Sequence, residues 1–244
     1  MNIMLRLAGI SGISLLAACT SPAGPGEIKD PFEARNREVH AANKALDRAL
    51  LRPSSQHYGQ VVPKPVRRGI ENFSENLALP GMVLNDLLQF RLEDAASNSG
   101  RFLFNSTIGL AGVFDPASDI GLTERETDFG ETLHVWGFGE GAYVELPVLG
   151  PSTERDAVGK VVDFALNPVG RVLGWPEGGV KTAADVAAQV GDRYDHTELI
   201  DSILYDSADS YAQARILYLQ NRRFKLGDKE EPDYYDPYED PYGE

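Results

Sequence analysis

Residues 30–51, DPFEARNREVHAANKALDRALL, determine the fold class because they have the pattern of a capped amphipathic helix. Asp30 can cap the helix, Pro31 suits its first turn, and Glu33 stands three residues after the cap. The apolar residues recur at helical spacing, namely Phe32, Val39, Ala42, Leu46, Ala49 and Leu50. Pro53 predicts that this helix ends one or two residues before it.

The helical pattern returns along most of the chain after this stretch. A second helix is predicted from Pro63 to a break at Pro80-Gly81, and a third follows it as far as residue 105. Later helices are predicted after Ser152 or Thr153 as the cap, over residues 180–190, and over residues 196–224, with a loop at 175–179. The chain is therefore predicted to be all-α over one domain, residues 30–227.

Glycine is frequent between residues 122 and 149, where helical periodicity fades. Residues 134–136 and 143–146 surround Gly137, Gly139 and Gly141, and this arrangement predicts a short glycine-rich β-hairpin. The same glycines make only a weak phosphate loop, because they precede no clear helix and lack a lysine.

The opening residues, MNIMLRLAGISGISLLAACT, have the pattern of a secretory signal. Residues 1–18 form the expected signal peptide, and residues 16–19, LAAC, resemble a bacterial lipobox. The lipobox implies cleavage before Cys19 and covalent lipid, including palmitate, on that residue; the alternative is an ordinary signal peptide with a stray cysteine. Residues 19–29 are then a lipidated tether, and a residue other than aspartate at position 20 favours the outer membrane.

The net charge of −14 is concentrated at the end of the chain. Residues 228–244 hold eight acidic side chains and one lysine, so half of the net charge lies in a tail that is expected to be disordered. No basic stripe of the size that a nucleic-acid binder needs is present, which argues against that class.

The longest uncharged stretch near the middle of the chain is too short to cross a membrane. The 13 residues between Arg101 and Asp115 would reach about 20 Å as a helix, against a hydrocarbon core of about 30 Å. Amphipathic helices could instead lie in the plane of one leaflet, or form a soluble bundle, and periodicity alone favours neither.

No constellation of catalytic or metal-binding residues is visible in the sequence. The four histidines have no metal-ligand spacing on one helix, and no G-x-S-x-G nucleophile elbow occurs. The carboxylates Asp115, Asp119, Glu124, Glu126 and Asp128 are better explained by a solvated loop than by an acid–base pair. We therefore expect no enzyme activity, no metal and no cofactor other than the covalent lipid on Cys19.

Four charged residues inside the predicted helices have two open interpretations. Asp163, Lys181, Asp206 and Asp209 either line a polar interior or are ordinary outward-facing charges.

Short strings in a fixed order, behind the lipobox, carry a family resemblance. The first, Asp30-Pro31-Phe32-Glu33 with Asn36-Arg37, looks like D-P-x-E-x-x-N-R. Later blocks are Val62-Pro63, Asn72-Phe73, Asn76-Leu77, Asn105-Ser106-Thr107-Ile108-Gly109, Phe129-Gly130, Trp136-Gly137, Gly150-Pro151-Ser152-Thr153, Asp209-Ser210-Tyr211 and Tyr218-Leu219-Gln220. Together they resemble the MlaA/VacJ outer-membrane lipoproteins, from about Asp30 to Gly227.

This resemblance implies a ring-like bundle of amphipathic helices in the inner-leaflet region, with a central polar channel. It implies removal of mislocalised phospholipids from the outer leaflet and their transfer to a soluble periplasmic carrier, which maintains lipid asymmetry. It also implies trimeric porins as partners, and a lipid-anchored position on the periplasmic side of the outer membrane. Asp163, Lys181, Asp206 and Asp209 become channel-lining candidates, and Gly137, Gly139 and Gly141 candidates for a gating hairpin.

Two rival classes differ from transport. A lipid-anchored structural or interaction protein of the outer membrane would have the same anchor and helices without transport. A phospholipase would need a nucleophile and a base, which the sequence does not offer.

Overall fold

The computed structural model describes residues 28–166 and 168–227. The predicted signal peptide, Cys19 and most of the tether lie outside the described residues, and so does the acidic tail, residues 228–244. The helices are α1 (Glu33–Leu46), α2 (Arg52–Val61), α3 (Lys64–Leu88), α4 (Leu92–Thr107), α5 (Pro116–Asp119), α6 (Phe129–Val135), α7 (Glu154–Leu166), α8 (Pro168–Asp195), α9 (Thr197–Asp201) and α10 (Ser210–Leu226). Two π-helical turns, Asp47–Leu51 and Ser202–Asp206, and two strands, β1 (Tyr143–Leu146) and β2 (Gly150–Thr153), complete the fold.

The first helix does not end before Pro53 as predicted. The π-helical turn Asp47–Leu51 joins α1 directly to α2, and the Arg52 N–H donates to the Asp47 carbonyl five residues earlier. Proline is tolerated here because it stands at the start of α2, where its missing N–H costs little.

The predicted break at Pro80-Gly81 is also wrong, because α3 runs through it for 25 residues. The break comes instead at Phe90, whose φ of 59° places it in the left-handed region between α3 and α4. The packing of α3 against both α4 and α8 stabilises the helix despite the proline.

Two further helix boundaries differ from the prediction. Helix α8 continues through residues 175–179, where the sequence predicted a loop, because packing against α2 and α3 overrides local propensity. The final predicted helix is divided before Asp209, whose side chain accepts a hydrogen bond from the Ala212 N–H at 3.1 Å and so caps α10.

A short antiparallel hairpin is confirmed, but its strands differ from the predicted ones. Tyr143–Leu146 pairs with Gly150–Thr153, whereas residues 134 and 135 belong to α6. Helix forms there because the Asp128 side chain caps it, accepting from the Glu131 N–H at 2.8 Å. The glycines of the predicted hairpin therefore lie in the connection between α6 and β1.

The packed pairs of elements close a ring, and the mostly helical bundle is confirmed. Helices α1 and α2 follow one another, α2 packs on α8, α8 on α3, α3 on α6, α6 on α7, and α7 on β1, which returns to α1.

The return to α1 is made by a buried polar network that we call the closing cluster. It consists of Asp30, Asn36, His40, Tyr143, Glu145, Tyr211 and Arg215. Tyr143, Tyr211 and Leu219 form the adjacent apolar core.

Candidate functional site

The described chain is polar inside and apolar outside, the reverse of an ordinary soluble protein. Polar and charged residues outnumber apolar ones among the buried positions of residues 28–166 and 168–227, and Asn98 and Thr132 are completely buried. By contrast, Phe90 is 88% exposed and Phe164 is 89% exposed. Single exposed apolar residues are normal, but a large exposed apolar surface marks a membrane or partner contact.

Helix α3 divides the two environments. Glu71, Ser74, Glu75 and Asn85 recur at helical spacing along one face, which we call the polar face of α3. The other face carries Val66, Ile70 and Phe73 at its start and Val83, Leu84 and Leu87 near its end, all of which line apolar surface grooves.

The polar face of α3 borders a cavity of about 390 Å³. We call this the acidic cavity; it is lined by Glu75, Met82, Glu124, Glu126, Thr127, Asp128, Glu131, Arg222 and Lys225. Five carboxylates against two cations leave an excess of negative charge. The volume is enough for roughly a dozen water molecules at about 30 Å³ each.

Glu75 has the most perturbed carboxylate in this cavity. It retains solvent contact, and no hydrogen bond to it is found within the described part of the chain. The surrounding protein removes part of the hydration of the carboxylate, and this raises the pKa of Glu75 most. The negative charges of Glu124, Glu71 and Asp115 raise the pKa further, to about 7, while Arg101 opposes the shift. Glu75 can therefore change charge near neutral pH.

The other members of the acidic cavity are held by ion pairs. Lys225 bonds Glu126 at 2.6 Å, and Arg91 donates to Glu131 at 2.6 Å. Arg222 pairs with Asp128 at 2.7 Å and with Asp156 at 3.0 Å, so it joins the acidic cavity to a smaller polar cavity of about 200 Å³.

Of the predicted channel-lining residues, Asp163 bonds the polar face of α3 directly, and Lys181 is linked to it through Asp185. The Asp163 carboxylate accepts from Asn85 Nδ2 at 2.9 Å and from the Phe129 N–H at 3.0 Å, and burial raises its pKa. Lys181 pairs with Asp185 at 2.7 Å, and Asp185 accepts from the Ser74 hydroxyl at 2.6 Å.

The other two predicted residues lie on either side of the connection between the second π-helical turn and α10. Asp206 is exposed at the end of the second π-helical turn. Asp209 caps α10 and pairs with Arg37 at 2.8 Å, and this hydrogen bond lowers the pKa of Asp209 to about 2. The structure therefore brings Asp163 and Lys181 to one helix and leaves Asp206 and Asp209 elsewhere. That all four line a channel stays a prediction.

The three predicted gating glycines differ in their surroundings. Gly137 and Gly141 have positive φ values of 88° and 76°, which favour glycine. A Cβ on Gly141 would also lie 2.7 Å from Glu154 Oε2, whereas none of the described atoms would lie within 4 Å of a Cβ on Gly139. Their gating role stays a prediction.

The acidic cavity was not predicted from the sequence. Glu124, Glu126 and Asp128 lie in an irregular segment, as predicted, and Glu126 is exposed, but they also line the cavity together with Glu75 and Arg222. Asp115 was placed with them, and it instead caps α5 and pairs with buried Arg101 at 3.0 Å. The spacing of Glu71 and Glu75 was the available signal, because these residues recur on the side of α3 opposite the apolar Val66 and Ile70.

The described part of the chain holds no group of three or more His, Cys, Asp and Glu side chains arranged to bind a metal ion. None of the described helices is both long enough and apolar enough to cross a membrane.

Comparisons with known proteins identify relatives over most of the chain. The chain is 32% identical over 229 residues to the intermembrane phospholipid transport system lipoprotein MlaA of Escherichia coli K12, covering 90% of this chain and 88% of the relative. It is 33% identical to the MlaA protein of Shigella flexneri, with the same coverage, and 30% identical over 200 residues to an uncharacterized protein of Rickettsia bellii, covering 82% and 77%.

A solved structure described as "Structural basis for maintenance of bacterial outer membrane lipid asymmetry" superposes with a TM-score of 0.68. It is 30% identical, and the match covers 81% of this chain and 98% of that one. The model of the family described as MlaA lipoprotein matches residues 28–225, so the chain belongs to the MlaA lipoprotein family.

Proposed function

We propose that the protein removes mislocalised phospholipids from the outer leaflet of the outer membrane and passes them to a soluble periplasmic carrier. It would thereby maintain the lipid asymmetry of that membrane. Its relatives' names, which refer to intermembrane phospholipid transport, support this proposal.

The single observation that carries the proposal is the reversed distribution of polarity. Burying apolar surface stabilises a protein by about 25 cal/mol per Å², so leaving Phe90, Leu103 and Phe164 exposed to water forfeits that stabilisation. The same side chains lose nothing in the hydrocarbon of a leaflet. The ring would then lie in the inner-leaflet region, anchored by lipid on Cys19.

The acidic cavity offers a route for the headgroup. Moving a charged or zwitterionic headgroup through hydrocarbon is costly because its polar atoms lose their hydration. A cavity with room for water and with both signs of charge, lined by Glu75 and Arg222, would keep the headgroup hydrated while the acyl chains stay in lipid.

Trimeric porins and a soluble periplasmic carrier complete the proposed path. A porin would hold the embedded protein at a fixed depth, and a carrier would shield the acyl chains of the extracted phospholipid from water. We propose no chemical step, because transport requires none.

The test is restoration of lipid asymmetry. In a bacterium that lacks its own family member, we expect the full-length chain to lower the outer-leaflet phospholipid that is accessible to externally added phospholipase on intact cells. Unchanged accessibility, with the protein present at normal abundance in the outer membrane, would contradict transport.

The rival structural role is separated by removing the anchor. An exported Cys19→Ala variant of an embedded ring is expected to stay with membranes after a high-salt wash, whereas a tethered soluble bundle would become a monomer in the aqueous fraction. Phospholipid vesicles incubated with the purified protein and examined by mass spectrometry test the phospholipase alternative, and we expect no cleaved lipid.

A further inference from the structure

A second lipid contact is suggested by a groove on the outer side of α3, away from the acidic cavity. This outer groove has a volume of about 1020 Å³ and lies between the start of α3 and α8. Its walls include Val66, Ile70, Phe73, Phe114, Val180 and Ala183. Small-molecule sites occupy roughly 300–1,000 Å³, so the groove is large enough for an extended apolar ligand.

The wall of the outer groove is fixed by specific contacts. Asn72 Nδ2 donates to the Val113 carbonyl at 3.1 Å and holds the segment that follows α4 against α3. A Cβ on Gly69 would lie only 3.1 Å from Val113 Cγ1, so glycine allows this close approach. The groove is therefore part of the packed fold.

A second trough of about 730 Å³ lies on the other flank of α8. Val180, Ala183 and Ala187 line both spaces, so their short side chains form a low ridge between two apolar troughs. Two parallel apolar troughs match the two acyl chains of one phospholipid, and they offer little to a polar ligand.

Positive charge stands at one edge of the outer groove. Lys64 and Arg68 are four residues apart on the first turns of α3, both are exposed, and neither forms an ion pair within the described residues. Arg68 acts on Glu71 only through space. The positive end of the α3 dipole lies at the same edge, and it favours a bound phosphate there. This edge is a local positive region in a chain whose net charge is −14.

We propose that the outer groove holds one glycerophospholipid of the surrounding leaflet as a resident lipid. Its acyl chains would occupy the troughs on the two sides of Ala183, and its phosphate would contact Lys64 and Arg68. This inference rests on the proposed membrane position of the protein, and it adds a site that is separate from the transport route through the acidic cavity.

The site is tested by crosslinking in vesicles. The full-length lipidated protein is placed in vesicles of phosphatidylethanolamine and phosphatidylglycerol that contain a trace of phosphatidylethanolamine with a diazirine on its acyl chain. After illumination, mass spectrometry maps the labelled peptides. We expect labelling at residues 64–73 and 180–187 to exceed that at the more exposed Leu92 and Phe164, which line neither trough.

Variants make this test specific. Ala183→Trp fills the trough from an exposed position, and because an indole occupies roughly 150–250 Å² of contact area we expect labelling of the groove to fall about ten-fold. Lys64→Ala with Arg68→Ala removes the phosphate contacts and is expected to lower labelling about three-fold. Gln189→Trp, on an exposed part of α8 outside both troughs, is the matched control and should leave labelling unchanged.

Each contrary result overturns the site. Labelling no higher than at Leu92 and Phe164 would show ordinary lipid contact, and labelling that survives Ala183→Trp would place the lipid elsewhere. A photoreactive phenylalanine at Ala183 that joins a second copy or another protein in cells would assign the groove to that partner. If the unmodified protein restores lipid asymmetry but the groove is unlabelled, the resident lipid fails while the proposed function stands.

Discussion

The closing cluster and the acidic cavity both hold several ionisable groups. The closing cluster buries His40 and Glu145 in a hydrogen-bonded network, whereas the acidic cavity leaves Glu75 exposed. In the closing cluster the Asp30 carboxylate accepts from Asn36, Tyr211 and Arg215. In the acidic cavity, Glu75 receives no hydrogen bond from the described chain, and the carboxylates Glu124, Glu71 and Asp115 act on it, opposed by Arg101. A carboxylate held by several donors specifies structure, whereas one without a donor is available for a solute.

The rest of the closing cluster supports this contrast. Glu145 accepts from the Tyr143 hydroxyl at 2.5 Å and lies 3.2 Å from His40 Nδ1. The Asn36 side chain accepts from the Glu145 N–H and donates to the Tyr143 carbonyl, so a single amide fixes α1 to β1. The strand cannot shift without leaving these buried groups unpaired.

The largest effect is expected from breaking the closing cluster. Asp30→Ala leaves the partly buried Arg215 and the buried Tyr211 without their shared acceptor, and the free energy of unfolding should fall by about 3 kcal/mol. Thermal unfolding of the purified protein in detergent measures this loss. Glu38→Ala, which breaks an exposed pair with Arg35, is the control and should change stability by less than about 0.5 kcal/mol. Equal effects of the two variants would remove the distinction between the regions.

The next largest loss of stability is expected from glycine substitutions in the connection between α6 and β1. Gly141→Ala meets Glu154 and must adopt a φ of 76°, so we expect a loss of about 1–2 kcal/mol, whereas Gly139→Ala should be close to neutral. Thermal unfolding of both variants compares them. The gating prediction is tested separately by Gly139→Pro, which should change the outer-leaflet phospholipid at unchanged protein abundance, and an unchanged leaflet would remove the gate.

A smaller effect is expected at Asp209, whose structural and channel roles make different predictions. Asp209→Ala removes the cap of α10 and should cost about 1 kcal/mol, while Asp209→Asn keeps an oxygen that can accept from the Ala212 N–H and should cost less. If Asp209 lines a channel, Asp209→Asn should also alter phospholipid transport. Normal transport by a stable Asp209→Asn variant would assign Asp209 to capping alone.

The sequence predicts the helices better than it predicts their ends. Periodicity predicted helix at α1 and the end of α7 before Pro168, because this signal is local. The predicted Asp30 cap of α1 was wrong. The helix begins at Glu33 without a side-chain cap, and the Asp30 carboxylate bonds Asn36, Tyr211 and Arg215 instead. The helix ends predicted at Pro53 and Pro80 were wrong because tertiary packing decides whether a helix continues through a proline. The packing partners are not visible in one sequence. The positions of the helices therefore follow from local sequence patterns, whereas the positions at which the helices end depend on contacts between residues distant in the chain.

The candidate site was less predictable for the same reason. Glu124 and Glu126 have the composition of a solvated loop, and only the path of the chain after α5 brings them opposite Glu75. Asp163 was visible as a charge between apolar neighbours, and its bond to Asn85 gives that signal a physical cause. A charge within an apolar pattern can thus be detected from sequence, whereas a cavity shared by three elements requires the fold.

The smallest effect is expected at Glu75, and it has the opposite sign to that at Asp30. Because the pKa of Glu75 rises from an ordinary 4.5 to about 7, the folded protein binds more protons than the unfolded chain between these values. Stability should therefore fall as pH rises from about 4.5 to about 7, and Glu75→Gln should reduce this fall. Solvent contact keeps the difference small. Thermal unfolding at pH 5 and pH 8 measures it.

The Glu75→Gln variant also decides what the acidic cavity does. We expect it to be at least as stable as the unmodified protein at pH 8, where it relieves repulsion from Glu124, and yet to alter phospholipid transport. A variant that is less stable at pH 8 would place Glu75 with the closing cluster, as a structural group. If the variant is stable and transports normally at both pH values, the headgroup does not pass Glu75, and the route must follow the adjoining cavity beside Lys160 and Tyr218.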